Sequence, residues 1–211
     1  WTIENACNIT YRDGTPIPEV TDATVWENLT TGAWGYYDND PTKPRLYNWF
    51  AVMGIHDADP NTPDKEFAPE GWHVPSDDEW TTLEEYLISN GYNYDGSSYN
   101  CSPCSYEQNK IAKAMASTTG WSNAPDAGNV GNDQSLNNSS GFNALPVGIR
   151  SSFPGAQSYN ESFQTDFWSS TELNTTNAWY RGLSFGDSGL YRYGKGGNYK
   201  RFGFSVRFIR D

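Results

Sequence analysis

The chain has 211 residues, a length that suits one domain able to bury about 70% of its unfolded surface. Its formal net charge of −12 repels the phosphate backbone of nucleic acids and anionic membrane surfaces, which excludes both as expected partners. Only 36% of residues are hydrophobic, yet 16% are aromatic, with Trp 9 and Tyr 14. The expected core is therefore built from rings, each burying about 150–250 Å², with the tryptophans mainly inside and some tyrosines outside.

Along the chain, residues 1–45 are rich in turns: Arg12-Asp13-Gly14-Thr15-Pro16, then Pro18, Gly32, Gly35 and Asp38-Asn39-Asp40-Pro41. Residues 46–53 form an apolar run that reads equally as a short helix or a buried strand. The nearly apolar stretch to Ile55 is interrupted by Asn48 and is too short to span a bilayer, so no membrane insertion is expected. The chain begins at Trp1 rather than Met, which reads as a mature or excised fragment whose leader has gone.

A helix is expected from Ser76. Ser76 and Glu79 have the spacing of a capping box, and Asp77 and Asp78 suit the positive helix end. Trp80, Leu83 and Leu87 recur on one face, and Gly91 is placed as the residue after the C-cap. A second helix is expected over residues 107–117, with Ile111 and Met115 one turn apart and alanines allowing close packing. Residues 120–140 are polar and loop-like. Two strands are expected over 179–185 and 190–193, joined around Gly186-Asp187-Ser188-Gly189. Phe204, Val206 and Phe208 alternate with Ser205, Arg207 and Ile209, which predicts a largely buried final strand. Helices early and hairpins late predict an α+β fold with two main helices and a mostly antiparallel, hairpin-rich sheet, in one domain over 1–211.

Several blocks, taken in order, resemble the Fibrobacter succinogenes major paralogous domain: Trp1-Thr2-Ile3-Glu4-Asn5, Tyr11-Arg12-Asp13-Gly14, Leu46-Tyr47-Asn48-Trp49-Phe50-Ala51-Val52 and Gly71-Trp72-His73-Val74-Pro75-Ser76. Ser140-Gly141-Phe142-Asn143-Ala144-Leu145-Pro146, Phe167-Trp168-Ser169-Ser170-Thr171-Glu172 and the closing Gly203-Phe204-Ser205-Val206-Arg207-Phe208 complete the set. The resemblance implies a C-type-lectin-like fold and a secreted or cell-surface location on bacteria of the Bacteroidetes or Fibrobacter type. It brings no agreed activity and no catalytic residues. The Glu-Pro-Asn, Gln-Pro-Asp and Trp-Asn-Asp motifs of calcium-dependent sugar lectins are absent. No cysteine follows Cys104, so the late cysteine pair of formylglycine-generating enzymes is absent too.

Candidate sites follow from residue chemistry. Cys101-Ser102-Pro103-Cys104 reads as a local disulfide between Cys101 and Cys104, with a redox pair or half of a zinc site as alternatives, and it leaves Cys7 odd. Asp57, Asp59 and Asn61, with Asp64 behind them, begin like a calcium loop, which makes calcium the candidate cofactor. Thr62 and Ala68 stand where an EF-hand needs Gly and Glu, and a solvated turn is the favoured reading. Tyr180, Tyr191, Tyr193 and Tyr199, with Arg181, Arg192 and Asn198, are assigned to a ligand face near the C-terminal hairpin, Tyr191 and Tyr193 foremost. His73, before Val74-Pro75 at the helix entrance, reads as a structural histidine.

The expected function is a non-enzymatic extracellular binding module for glycan or protein ligands. A structural or adhesive subunit that self-associates or contacts neighbouring domains is the alternative. A hydrolase is third, because no spacing selects a carboxylate pair.

Overall fold

The computed structural model describes residues 1–98, 109–154, 158–194 and 199–211. Helices and small antiparallel sheets mix along the chain, as an α+β reading requires. Ala23–Glu27 (α1) is followed by strands Trp34–Tyr36 (β1) and Arg45–Tyr47 (β2), which pair antiparallel. The ambiguous apolar run resolves into both alternatives. It starts as β2 and turns at Asn48 into helix Trp49–Val52 (α2). Buried Asn48 makes the switch: its Oδ1 accepts from Ala51 N and Ala33 N, both at 3.0 Å, so one side chain caps the helix and holds the neighbouring strand.

Helix α3, Asp77–Ser89, is the long helix among the described residues. The capping box is formed: Ser76 Oγ accepts from Glu79 N at 3.2 Å, and Glu79 Oε2 accepts from Ser76 N at 2.8 Å. Gly91, at φ +81°, ends it in a Schellman motif, with Tyr92 N donating to Leu87 O and Gly91 N to Ile88 O. A Ser76→Ala variant is expected to lose about 1 kcal/mol, read as a lowered urea midpoint with unchanged slope.

The second predicted helix is mostly overturned. Residues 107–108 lie outside the described residues, and of 109–117 only Ala112–Met115 (α4) is helical. Tertiary bonds claim the groups that would have extended it. The Asn109 amide brackets the Leu190 backbone, and Ala112 N donates to Ser188 O. At the far end Ala116 is extended and bridges Ala144. Helix propensity loses here to docking against the hairpin.

Gln164–Glu172 (β6), Ala178–Ser184 (β7) and Tyr191–Tyr193 (β8) form a three-stranded antiparallel sheet, and the last two match the expected strands. This sheet separates two cores. Phe167 and Leu183 face Trp80, Leu87, Ile111, Met115 and Phe142 on the α3 side. Trp168 and Tyr180 face Phe204, Tyr47, Trp49 and Phe202 on the other. Trp26, Trp80 and Trp168 are completely buried, in keeping with a ring-built interior.

The expected final strand is buried but is not one strand. Successive residues bridge different partners: Gly203 with Arg150 in strand Ile149–Arg150 (β4), Phe204 with Tyr47 in β2, and Ser205 with Phe167 in β6. Val206 O and Phe208 O then accept from Ala6 N and Thr2 N. Ile209–Arg210 (β9) pairs with Trp72–His73 (β3). Residues 203–211 thus form a seam joining the small sheets, each too short to stand alone.

His73 clamps this seam to α3. Its Nδ1 lies 2.7 Å from Asp211 Oδ1 and its Nε2 lies 2.8 Å from Glu79 Oε1. Those bonds, Asp211's first and Glu79's second, raise the imidazole pKa. A raised folded-state value means the stabilisation is complete below the ordinary imidazole value of about 6.5 and fades as pH rises through the raised one. His73→Gln is expected to flatten stability across that interval, checked by urea titrations at stepped pH.

Candidate functional site

Side chains alternate across a strand, and this alternation divides the predicted ligand set. Registers Trp168↔Tyr180↔Tyr193 and Asp166↔Gly182↔Tyr191 place those residues on one face of the sheet. Registers Phe167↔Arg181↔Arg192 place both arginines on the other, toward α3.

Arg181 is 0% exposed. Its Nε donates to Glu84 Oε1, and its Nη1 donates to Asp77 Oδ1 at 2.6 Å. Nη2 reaches Asp77 O and Thr81 Oγ1. Arg192 donates to both Asp77 oxygens and lies 3.6 Å from the centre of the Trp179 ring. Burial opposes the Asp77 charge, but hydrogen bonds from Arg192 and Arg181 outweigh it and hold that carboxyl low. For Glu84 burial prevails over the pull of Arg181 and pushes the carboxyl up, and its Oε2 is buried without a partner among the described residues. Assigning Arg181 to a ligand face is therefore corrected: the charge is sealed inside and ties α3 to β7. Arg192 is directed to the same purpose.

The tyrosine half of the set stays together. Tyr180 packs 5.9 Å from Tyr193 and 5.9 Å from Tyr199, and those two meet edge to face at 6.4 Å. Tyr193 is 47% exposed, whereas Tyr180 is 8% exposed and forms the base of the group. Tyr191 donates to Asp187 Oδ2. Beneath lies Asp166, 2% exposed, whose Oδ2 accepts from Gln164 Nε2 at 2.7 Å. Gly182 across the ladder allows this placement, because a Cβ there would collide with Asp166 Oδ1. Burial raises the Asp166 pKa to about 7, against the lowering influence of Gln164. Burial first and the Asp166 charge second raise Tyr180 and also Tyr159, which is 36% exposed in strand Ser158–Tyr159 (β5); Tyr199 is raised by burial, then by Tyr193, then by Asp166. The phenols and one carboxylic acid, poised to gain or lose its proton near neutrality, thus converge on one face. Asp166, Gln164 and Tyr159 were missed in the sequence. The available signal was an acid set between Thr165 and Phe167-Trp168 in a buried strand.

The remaining assignments separate. Asn198, Cys101 and Cys104 lie outside the described residues, and Cys7 is a free, exposed cysteine. Asp57, Asp59 and Asp64 line a surface depression of about 280 Å³ with Thr30 and His56. Asp57 Oδ1 accepts from Asp59 N, and Asp59 Oδ1 accepts from both Asn61 N and Asn61 Nδ2, all at 2.9 Å. These are self-contained Asx turns. Among the described residues no group of three or more His, Cys, Asp or Glu is placed to hold a metal ion, and no helix is long and apolar enough to cross a membrane.

One long capped helix, small antiparallel sheets and a C-terminal seam define the class: an α+β domain with an aromatic interior. The chain belongs to the Fibrobacter succinogenes major domain family of bacteria, whose profile matches residues 1–210. No curated protein and no solved structure matches it.

Proposed function

We propose that this chain is a single C-type-lectin-like domain, secreted or displayed on the cell surface, that binds glycan or protein ligands without transforming them. The observation that supports this reading best is the face built by Tyr193, Tyr199 and Tyr159 over the Asp166 carboxyl. Exposed phenol rings offer apolar contact to sugar rings and rigid, low-entropy contact to proteins. The buried Asp166 carboxyl, held by Gln164, forms the polar base under these rings. Calcium enters the proposal only through the Asp57, Asp59, Asn61 and Asp64 turn.

A glycan array in millimolar calcium, repeated in chelator, tests it. Reproducible hits lost in a Tyr191→Ala/Tyr193→Ala double variant are the expected result. Loss in chelator would bring the Asp57 turn into the site. Hits that persist undiminished in the double variant would remove the tyrosine face from the reading.

The alternative, a structural or adhesive subunit, has its own support in Phe153 and Phe163, two large apolar side chains about half exposed. Analytical ultracentrifugation distinguishes the two: a stable self-associated species, needing roughly 1,000 Å² or more of buried surface, favours assembly over free recognition.

A further inference from the structure

A pocket of about 420 Å³ lies between the N-terminal segment and the entrance to β2, within the range of small-ligand sites. Three cations and one carboxylate line it: Lys43, Arg45, Arg207 and Glu4. In a chain of net charge −12, that balance is local and opposite in sign to the whole. Lys43 is neutralised from outside the wall by Glu161. Among the described residues neither arginine makes an ion pair, and Glu4 acts on Arg207 only from beyond ion-pair distance. Arg207 gives its Nε to Asn5 Oδ1, Nη1 to Thr2 O and Nη2 to Asn143 O, all neutral acceptors. Burial lowers its pKa to about 10, with Glu4 acting the other way, so it is fully charged at neutral pH.

Among the described residues Arg45 donates to Cys7 O through Nη1 and to Tyr36 Oη through Nη2; its Nε is buried away from the pocket, and the second N–H of each terminal nitrogen stays unused. Its guanidinium lies 4.9 Å from the Trp34 ring centre and 5.4 Å from that of Tyr36, which holds the planar fork in place. A fixed fork with unused N–H groups is the geometry that matches a carboxylate. Tyr36, Pro44 and Leu145 give the wall an apolar surface that suits the face of a sugar ring, and Asn5 and Asn143 stand beside it as polar groups.

We propose that this pocket is a second ligand site, taking the carboxylate of an acidic sugar residue with Arg45 as its anchor. The site goes beyond the tyrosine face and does not depend on it. Cys7 lines the same pocket and is exposed, so its thiol reports occupancy. The test is the alkylation rate of Cys7, mapped by mass spectrometry, in the presence of glucuronate, glucose, acetate, sulfate or a short oligoglutamate. Glucuronate alone is expected to slow alkylation, in a saturable way. Arg45→Gln is expected to weaken that protection about tenfold or more, the cost of a charged hydrogen-bonded pair. Ile3→Glu, at a 64% exposed position on the rim, is expected to weaken it without disturbing the fold. Equal protection by glucose, or none by glucuronate, overturns the proposal. Acetate or sulfate protecting as well as glucuronate reduces the pocket to an adventitious anion site, and preference for oligoglutamate reassigns it to a protein ligand. Either outcome also overturns it.

Discussion

Replacing Arg181 with alanine is expected to remove about 3–5 kcal/mol of folding free energy, because it leaves Glu84 buried without its cation and Asp77 with one cation in place of two. Asp77 would keep Arg192, but Glu84 would keep nothing, since Arg181 supplies its hydrogen bond and its Oε2 already lacks a partner. Total stability for a domain is about 5–15 kcal/mol, so the variant should sit near the edge of folding. Urea unfolding followed by tryptophan fluorescence measures it. Glu84→Gln is the gentler companion: it removes one charge, keeps an acceptor for Arg181, and should cost less than Arg181→Ala. A loss under about 1 kcal/mol in Arg181→Ala would mean that water enters and replaces the arginine, contrary to a sealed network.

Asp166→Asn is expected to act in the opposite direction, raising stability at alkaline pH. The folded-state pKa of Asp166 is raised from the ordinary carboxylate range to about 7. The unfolded chain therefore loses this proton first as pH rises. The contribution to stability is complete below the unfolded value of about 3.9 and is lost progressively up to about 7. At 1.36 kcal/mol per unit, the penalty carried above neutrality is at most about 4 kcal/mol. Asparagine has no proton to lose and can still accept from Gln164. The difference between variant and parent should thus grow between pH 4 and pH 8 and then level off. A constant difference would place the Asp166 titration in the ordinary range. If the variant also loses the array hits, stability and recognition trade against each other at this residue, as buried functional groups commonly do.

Where chemistry was local, the sequence was readable. Ser76, Glu79 and Gly91 determine both ends of α3 through bonds within a few residues. The hairpin β7–β8 also follows from its own residues. Helix 107–117 failed because the Asn109 side chain and the Ala112 N–H find partners in residues 188–190, far along the chain. The candidate face was half legible. Its tyrosines were found by composition, but Tyr180-Arg181 and Tyr191-Arg192 are neighbours in sequence and on opposite faces in the sheet. The two-residue period of a strand, which governs residues 204–208, separates them as well. The arginine pocket had no linear signature at all, since Glu4, Arg45 and Arg207 meet only after folding.

The seam at residues 203–211 sets the timing of folding. Its bonds reach back as far as Thr2, 206 residues away, and each joins pieces that are too short to persist alone. Contacts of such long range form late and slowly. Until residues 203–211 dock, the chain lacks the segment that unites its sheets, and each sheet alone stays compliant. Native structure is then expected to arrive in one late step, when that segment docks. By the same logic, a protease that cuts ahead of residue 203 removes a keystone, and the damage should spread to sheets far from the cut.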